Sequence, residues 1–133
     1  PLNRFEIALV NTTAQARQIV DMVGHPRLGI HYDTHHAHIE ERDSGAAIRA
    51  AGGTIGHVHI SESDRGVPGR GQVAWGATFA ALKEIGYDGW LVVEAFSRRD
   101  PDFANAIHVW RDFAPADEIW REGLEFIRQS WAS

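Results

Sequence analysis

The run Leu28-Gly29-Ile30-His31-Tyr32-Asp33 is followed by a helical pattern over residues 39–51 and then by Ile55-Gly56-His57-Val58-His59-Ile60-Ser61. The first run reads as a short buried strand. The third alternates apolar and polar side chains with the period of two that a pleated strand imposes. The helix between them is closed by Gly52-Gly53. Toward the N-terminus, Thr12 or Thr13 can cap a helix through Ala14, Ala16, Ile19, Val20 and Val23, which Gly24 and Pro26 end. On the other side a glycine-rich loop over residues 62–73 leads into a helix at about residues 75–85, stopped by Gly86. Residues 90–94 are β-formers and supply a third strand. From Asp100 onward the pattern is helical, with a break near Pro115.

Strands alternating with helices define the α/β class, with βαβ units, a parallel sheet and right-handed crossovers. Two closures fit that pattern. A doubly wound open sheet could stand alone in 133 residues, whereas a full (β/α)8 barrel needs about 250 and this chain would supply only half of one. Length by itself favours the open sheet. No linker, repeat or low-complexity tract divides residues 1–133, which read as a single domain. The chain starts at Pro1 without a cap or lead-in, so its beginning is expected to be a cut.

Composition narrows the function. A net charge of −5 gives no electrostatic footprint for nucleic acid. With no cysteine present, disulfides and thiolate sites are excluded, and a metal would be held by His, Asp and Glu, a donor set suited to Mn, Mg, Co or Zn. No apolar run approaches the length that crosses a bilayer, and no basic segment followed by a hydrophobic one opens the chain, which reads as cytoplasmic and without a membrane partner.

Asp33, His59 and Glu94 each stand at or near the C-terminal end of an expected strand, where β/α proteins of both kinds place ligands and catalytic groups. Carboxylate, imidazole and carboxylate make an oxygen-rich site that would hold a divalent ion and leave positions for substrate oxygens. The plain structural reading is that Asp33 and Glu94 cap the following helices and His59 is a packed core histidine. Spacing leaves both readings open. His31, His35, His36 and His38 suggest a zinc cluster, yet they cannot all converge with Asp33, and one of them is the expected participant. On the next strand His57 and His59 share a face, with His59 nearer the rim and the better ligand. Arg65 beyond it could grip substrate oxygens through two parallel hydrogen bonds. The loop Pro68-Gly69-Arg70-Gly71-Gln72-Val73 lacks the lysine of a phosphate loop and the third glycine of a dinucleotide loop. Trp110, Trp120 and Trp131 are expected to bury against the sheet or a partner.

Pro1-Leu2-Asn3-Arg4-Phe5-Glu6, Asp33-Thr34-His35-His36 with Ile39-Glu40-Glu41, Gly56-His57-Val58-His59 with Glu62-Ser63-Asp64-Arg65-Gly66, and Gly86-Tyr87-Asp88-Gly89-Trp90 with Glu94-Ala95-Phe96 occur in this order. Together they resemble the D-tagatose 3-epimerase group of ketose 3-epimerases, within the xylose-isomerase-like barrel superfamily. The resemblance replaces the open-sheet preference with the C-terminal half of a (β/α)8 TIM barrel. It implies a metal, Mn first with Mg, Co or Zn as alternatives, held by Glu, Asp, His and Glu at four successive strand ends. Asp33, His59 and Glu94 match the last three, and the first glutamate would lie immediately before Pro1. Glu94 would be both ligand and acid/base on one face of C3 of a ketose, with the preceding glutamate on the other, so that proton removal and return through an enediolate inverts that carbon. Glu6, His36 and Arg65 match positions that bind substrate oxygens.

The expected partners are a small ketose or related sugar and either a second copy of the chain or the other half of the barrel. The isolated chain is expected to be an incomplete epimerase. Alternatives in the same superfamily are a hydroxypyruvate isomerase, an inosose dehydratase or an apurinic endonuclease, the last disfavoured by the negative charge. A half-barrel that catalyses nothing is the alternative of another class.

Overall fold

The computed structural model describes residues 1–133. The elements run α1 (Thr13–Val23), β1 (Ile30–Asp33), α2 (Thr34–Glu40), α3 (Ser44–Ala51), a 3-10 turn (Gly52–Thr54), β2 (Ile55–Ile60), α4 (Trp75–Glu84), β3 (Leu91–Val93), α5 (Pro101–Ala106) and α6 (Ala116–Ala132). The three strands form an open parallel sheet in the order β1-β2-β3. Asp33 pairs with His59, His31 with His57, and His59 with Val92.

Local chemistry sets the boundaries. Thr12 and Gln15 form a reciprocal capping box at the start of α1, and Gly24, at φ 61°, ends it in the left-handed conformation that a residue without Cβ adopts cheaply. The single helix expected over residues 39–51 is two helices. The Asp33 carboxylate receives the His35 and His36 N–H groups and starts α2 five residues earlier than the apolar pattern does. Glu41 is extended and Asp43 receives the Ala46 N–H, so α3 begins afresh. The terminal helical region is also interrupted for longer than Pro115 requires: α5 ends at Ala106 and α6 starts at Ala116.

The two faces of the sheet differ. Ile30, Tyr32, Val58 and Ile60 point into one apolar cluster with Ile48 and Ala51 of α3, Phe79 and Leu82 of α4 and Ile127 of α6. On α6, Phe126 and Trp131 close this layer by edge contacts with Trp75 and Phe79. The opposite face carries His31, His57, His59 and Val92, none of them fully buried. A doubly wound sheet has helices on both faces, whereas the inner face of a barrel faces other strands. The helix-free face here is the barrel pattern, and the chain amounts to about half of one. Of the three tryptophans expected to be buried, Trp131 meets Phe79, while Trp110 and Trp120 are exposed on this chain. No helix is long and apolar enough to cross a membrane.

Candidate metal and substrate site

Parallel register brings Asp33, His59 and Glu94 to one rim. Asp33 is the last residue of β1, His59 its paired residue on β2, and Glu94 follows β3, with its N–H bonded to the Ile60 carbonyl. One donor atom from each lies within 4.8 Å of the other two. His59 Nδ1 stands 3.3 Å from Glu94 Oε1 and 3.6 Å from Asp33 Oδ2. The capping and ligand readings of Asp33 turn out to be compatible, because its two oxygens divide them. Oδ1 accepts from the α2 N–H groups, at 2.8 Å from His35 and 3.0 Å from His36, while Oδ2 faces the site.

The two carboxylates are pushed apart in acidity. Burial raises Glu94, and a hydrogen bond shared with Asp33 raises it further, to about 7. Burial acts on Asp33 in the same sense, but the bond with Glu94, the Arg65 charge and the His36 N–H outweigh it and leave Asp33 below its ordinary value. Within the pair Glu94 is therefore the weaker acid and Asp33 the stronger.

Arg65 occupies a left-handed backbone position, φ 62°, which costs a non-glycine residue on the order of 1 kcal/mol and turns its side chain back over the rim. Its guanidinium donates to Ser61 Oγ at 2.8 Å, to Glu94 Oε2, and at 3.5 Å to Asp33 Oδ2, and it lies 4.8 Å over the Phe96 ring. Arg65, expected to grip substrate oxygens, is in this structure also the cation that balances the two carboxylates.

His36, in the first turn of α2, has Nδ1 fixed as an acceptor by the backbone N–H of Asn3 at 3.1 Å, with the Asn3 side-chain amide at 2.9 Å. Burial depresses its pKa, against Asp33 and with Arg65. A neutral ring whose Nδ1 accepts carries its proton on Nε2, so the 3.1 Å approach of Arg65 Nη2 to Nε2 sets two donors side by side, both able to face a substrate oxygen, and is not a hydrogen bond between them. Glu6 is half exposed and accepts from the Asn3 amide at 2.9 Å. Glu6, His36, Arg65, Glu94 and Phe96 line one cavity of about 850 Å³, with the 106–113 segment as its far wall.

Two organising residues escape a reading of the sequence. Asn3 is 2% exposed and ties Glu6 to His36; its signal is its place inside the Pro1-to-Glu6 motif, where a polar side chain follows an apolar one without evident purpose. Glu62 is fully buried and receives the N–H groups of Ser63, Gly69 and Val73 and the Trp75 indole N–H. Those bonds overcome its burial and keep it ionised. They fold the 62–75 loop around one carboxylate, and a Cβ at Gly71 would lie 2.5 Å from its oxygen. That role leaves no trace in local sequence, because the partners are up to 13 residues away.

The donor set fits a divalent cation: two carboxylates and one imidazole converge at the rim, their charge met by a single arginine.

Residues 1–130 match the family described as the xylose isomerase-like TIM barrel, and the chain belongs to it. It is 40% identical over 132 residues to a probable ketose 3-epimerase of Synechocystis sp., covering 98% of this chain and 46% of that protein. It is 44% identical over 118 residues to a D-psicose 3-epimerase of Ruminiclostridium cellulolyticum, covering 88% of this chain and 40% of that one. The crystal structure of a D-allulose 3-epimerase from Methylomonas sp. in complex with D-allulose superposes with a TM-score of 0.91 at 39% identity, over 97% of this chain and 46% of that structure. The chain thus spans about half the length of the relatives it matches.

Proposed function

We propose that the barrel to which this chain contributes is a divalent-metal-dependent ketose 3-epimerase, with residues 1–133 as a single domain, its C-terminal half. One observation carries the reading: donor atoms of Asp33, His59 and Glu94 lie within 4.8 Å of one another at three adjacent strand ends, beside a cavity that also presents Glu6, His36 and Arg65. Asp33, His59 and Glu94 would hold the ion, Mn²⁺ first, with Mg²⁺, Co²⁺ or Zn²⁺ as alternatives. When bound, such an ion acts as a Lewis acid that stabilises negative charge on sugar oxygens as a neighbouring C–H proton leaves.

The chain's own residues do the rest. Glu94 accepts the C3 proton on a carboxylate oxygen and returns it. His36 Nε2–H and the Arg65 guanidinium donate to carbonyl and hydroxyl oxygens, and Glu6 accepts from a hydroxyl. Asn3 keeps Glu6 and His36 on target by holding both through one amide. Inversion at C3 needs a second carboxylate on the other face, which the family resemblance assigns to the position just before Pro1. The 133 residues alone would then exchange a proton on one face without completing epimerisation. Their uncovered inner face fits a second copy or the other half of the barrel as partner.

The test is hydrogen–deuterium exchange at C3 of a ketohexose in D₂O, followed by NMR with Mn²⁺ present. Glu94→Gln should slow exchange by about 10² to 10⁴-fold. Exchange at the unaltered rate would sink the assignment of Glu94 as the base.

A further inference from the structure

His31 and His57 have no part in the site described above. They sit on its strands, one pleat below it, on the same helix-free face. His31 pairs with His57 across β1 and β2, as Asp33 pairs with His59. The three rings of His31, His57 and His59 stand edge to face, with centroids 4.9 Å apart for His31 and His57, 4.0 Å for His31 and His59, and 5.2 Å for His57 and His59. One nitrogen from each lies within 4.8 Å of the other two.

We propose that His31, His57 and His59 form a second metal position, built only of imidazole, that lies directly beneath the carboxylate site and shares His59 with it. Its chemistry differs from that of the rim. Three imidazoles suit Zn²⁺, Ni²⁺ or Cu²⁺, whereas two carboxylates with one imidazole suit Mn²⁺ or Mg²⁺. With bonds of about 2.0 to 2.1 Å, ligand nitrogens around a tetrahedral zinc stand roughly 3.4 Å apart, so small ring rotations close the site. The three residues already share one face, as such a site requires.

Sharing His59 couples the two positions. In the structure its Nδ1 is directed at Glu94 and Asp33. A neutral imidazole carries one lone pair, so His59 serves one ion at a time. An ion held by the three histidines withdraws His59 from the carboxylates, and zinc therefore antagonises manganese from a place that substrate does not occupy.

The double variant Asp33→Asn with Glu94→Gln provides the test, because the asparagine amide oxygen can still cap α2 while both carboxylates are gone. Equilibrium dialysis of this variant against Zn²⁺ should show one ion per chain, and its Cu²⁺ EPR spectrum should show splitting from several nitrogens. Adding His31→Leu should weaken Zn²⁺ binding at least about tenfold. His31→Leu alone, checked for its fold by circular dichroism, should bind Mn²⁺ like the parent by EPR and lose the antagonism by Zn²⁺. Absence of Zn²⁺ from the carboxylate-free variant overturns the proposal, as does Zn²⁺ binding that His31→Leu leaves unchanged. Loss of Mn²⁺ from the parent protein would instead count against the carboxylate site, so the two ideas fail separately.

Discussion

The two faces of the same three strands have opposite chemistry. On one, Ile30, Tyr32, Val58 and Ile60 are all but removed from solvent by helices; on the other, one residue away along each strand, stand His31, Asp33, His57, His59 and, past the end of β3, Glu94. A strand period of two makes this separation complete, since a shift of one residue exchanges the faces. Stability and chemistry are therefore carried by interleaved residues that can be altered almost independently. Burying the apolar face against helices fixes where the polar one stands.

The largest effect is expected on the apolar face. Ile60→Ala should lower stability by about 2–5 kcal/mol in urea denaturation, through lost burial and the cavity left behind. Glu94→Gln should cost nothing in that assay. A loss above about 2 kcal/mol for Glu94→Gln would show that the polar face also holds the fold and would end the division of labour between the two.

Proton linkage tests the same division from the polar side. The Glu94 carboxyl titrates near 7 in the folded chain, above its ordinary 4.5. Its contribution to stability is complete below pH 4.5 and is lost as pH rises through 7, because the unfolded chain ionises more readily. With chelator present, urea midpoints should fall between pH 5 and pH 8, and Glu94→Gln should flatten that decline. Asp33 acts with the opposite sign and in a lower window: its depressed pKa stabilises above the ordinary value of 3.8 and ceases to do so as pH falls through the depressed one. Mn²⁺ binding near pH 6 should release a proton, measurable as a buffer-dependent calorimetric heat.

Arg65→Ala removes the cation beside the carboxylates and, on the proposed function, a donor to substrate. It should raise KM for a ketose by about tenfold, the loss of a charged hydrogen bond, while Mn²⁺ affinity rises slightly instead of falling. Weaker Mn²⁺ binding would mean that Arg65 braces the ligands.

The smallest effect belongs to Asn3→Ala. It should leave Mn²⁺ affinity unchanged and cost about 1 kcal/mol or several-fold in kcat/KM, since Glu6 and His36 lose their common tether. Rescue by Asn3→Gln is not expected, because the longer side chain displaces the amide.

The features legible in the sequence follow from short-range rules. Strand alternation places Asp33, His59 and Glu94 near strand ends, and the order of motifs selects the half-barrel that length alone argues against. Helix starts are less legible where capping opposes apolar periodicity: Asp33 begins a helix where the hydrophobic pattern is silent, and Asp43 begins one where that pattern runs on without a break. Tertiary packing was needed to decide that one oxygen of Asp33 caps a helix while the other faces the site, that Arg65 folds back onto Glu94, and that Asn3 orients His36 across 33 residues of chain. It also decided that His31, in sequence one of four neighbouring histidines, belongs with His57 and His59 on another strand. The reason is physical. Periodicity and capping act within a few residues, whereas the partner of a buried charge or ring is set by which strands pair and in what register.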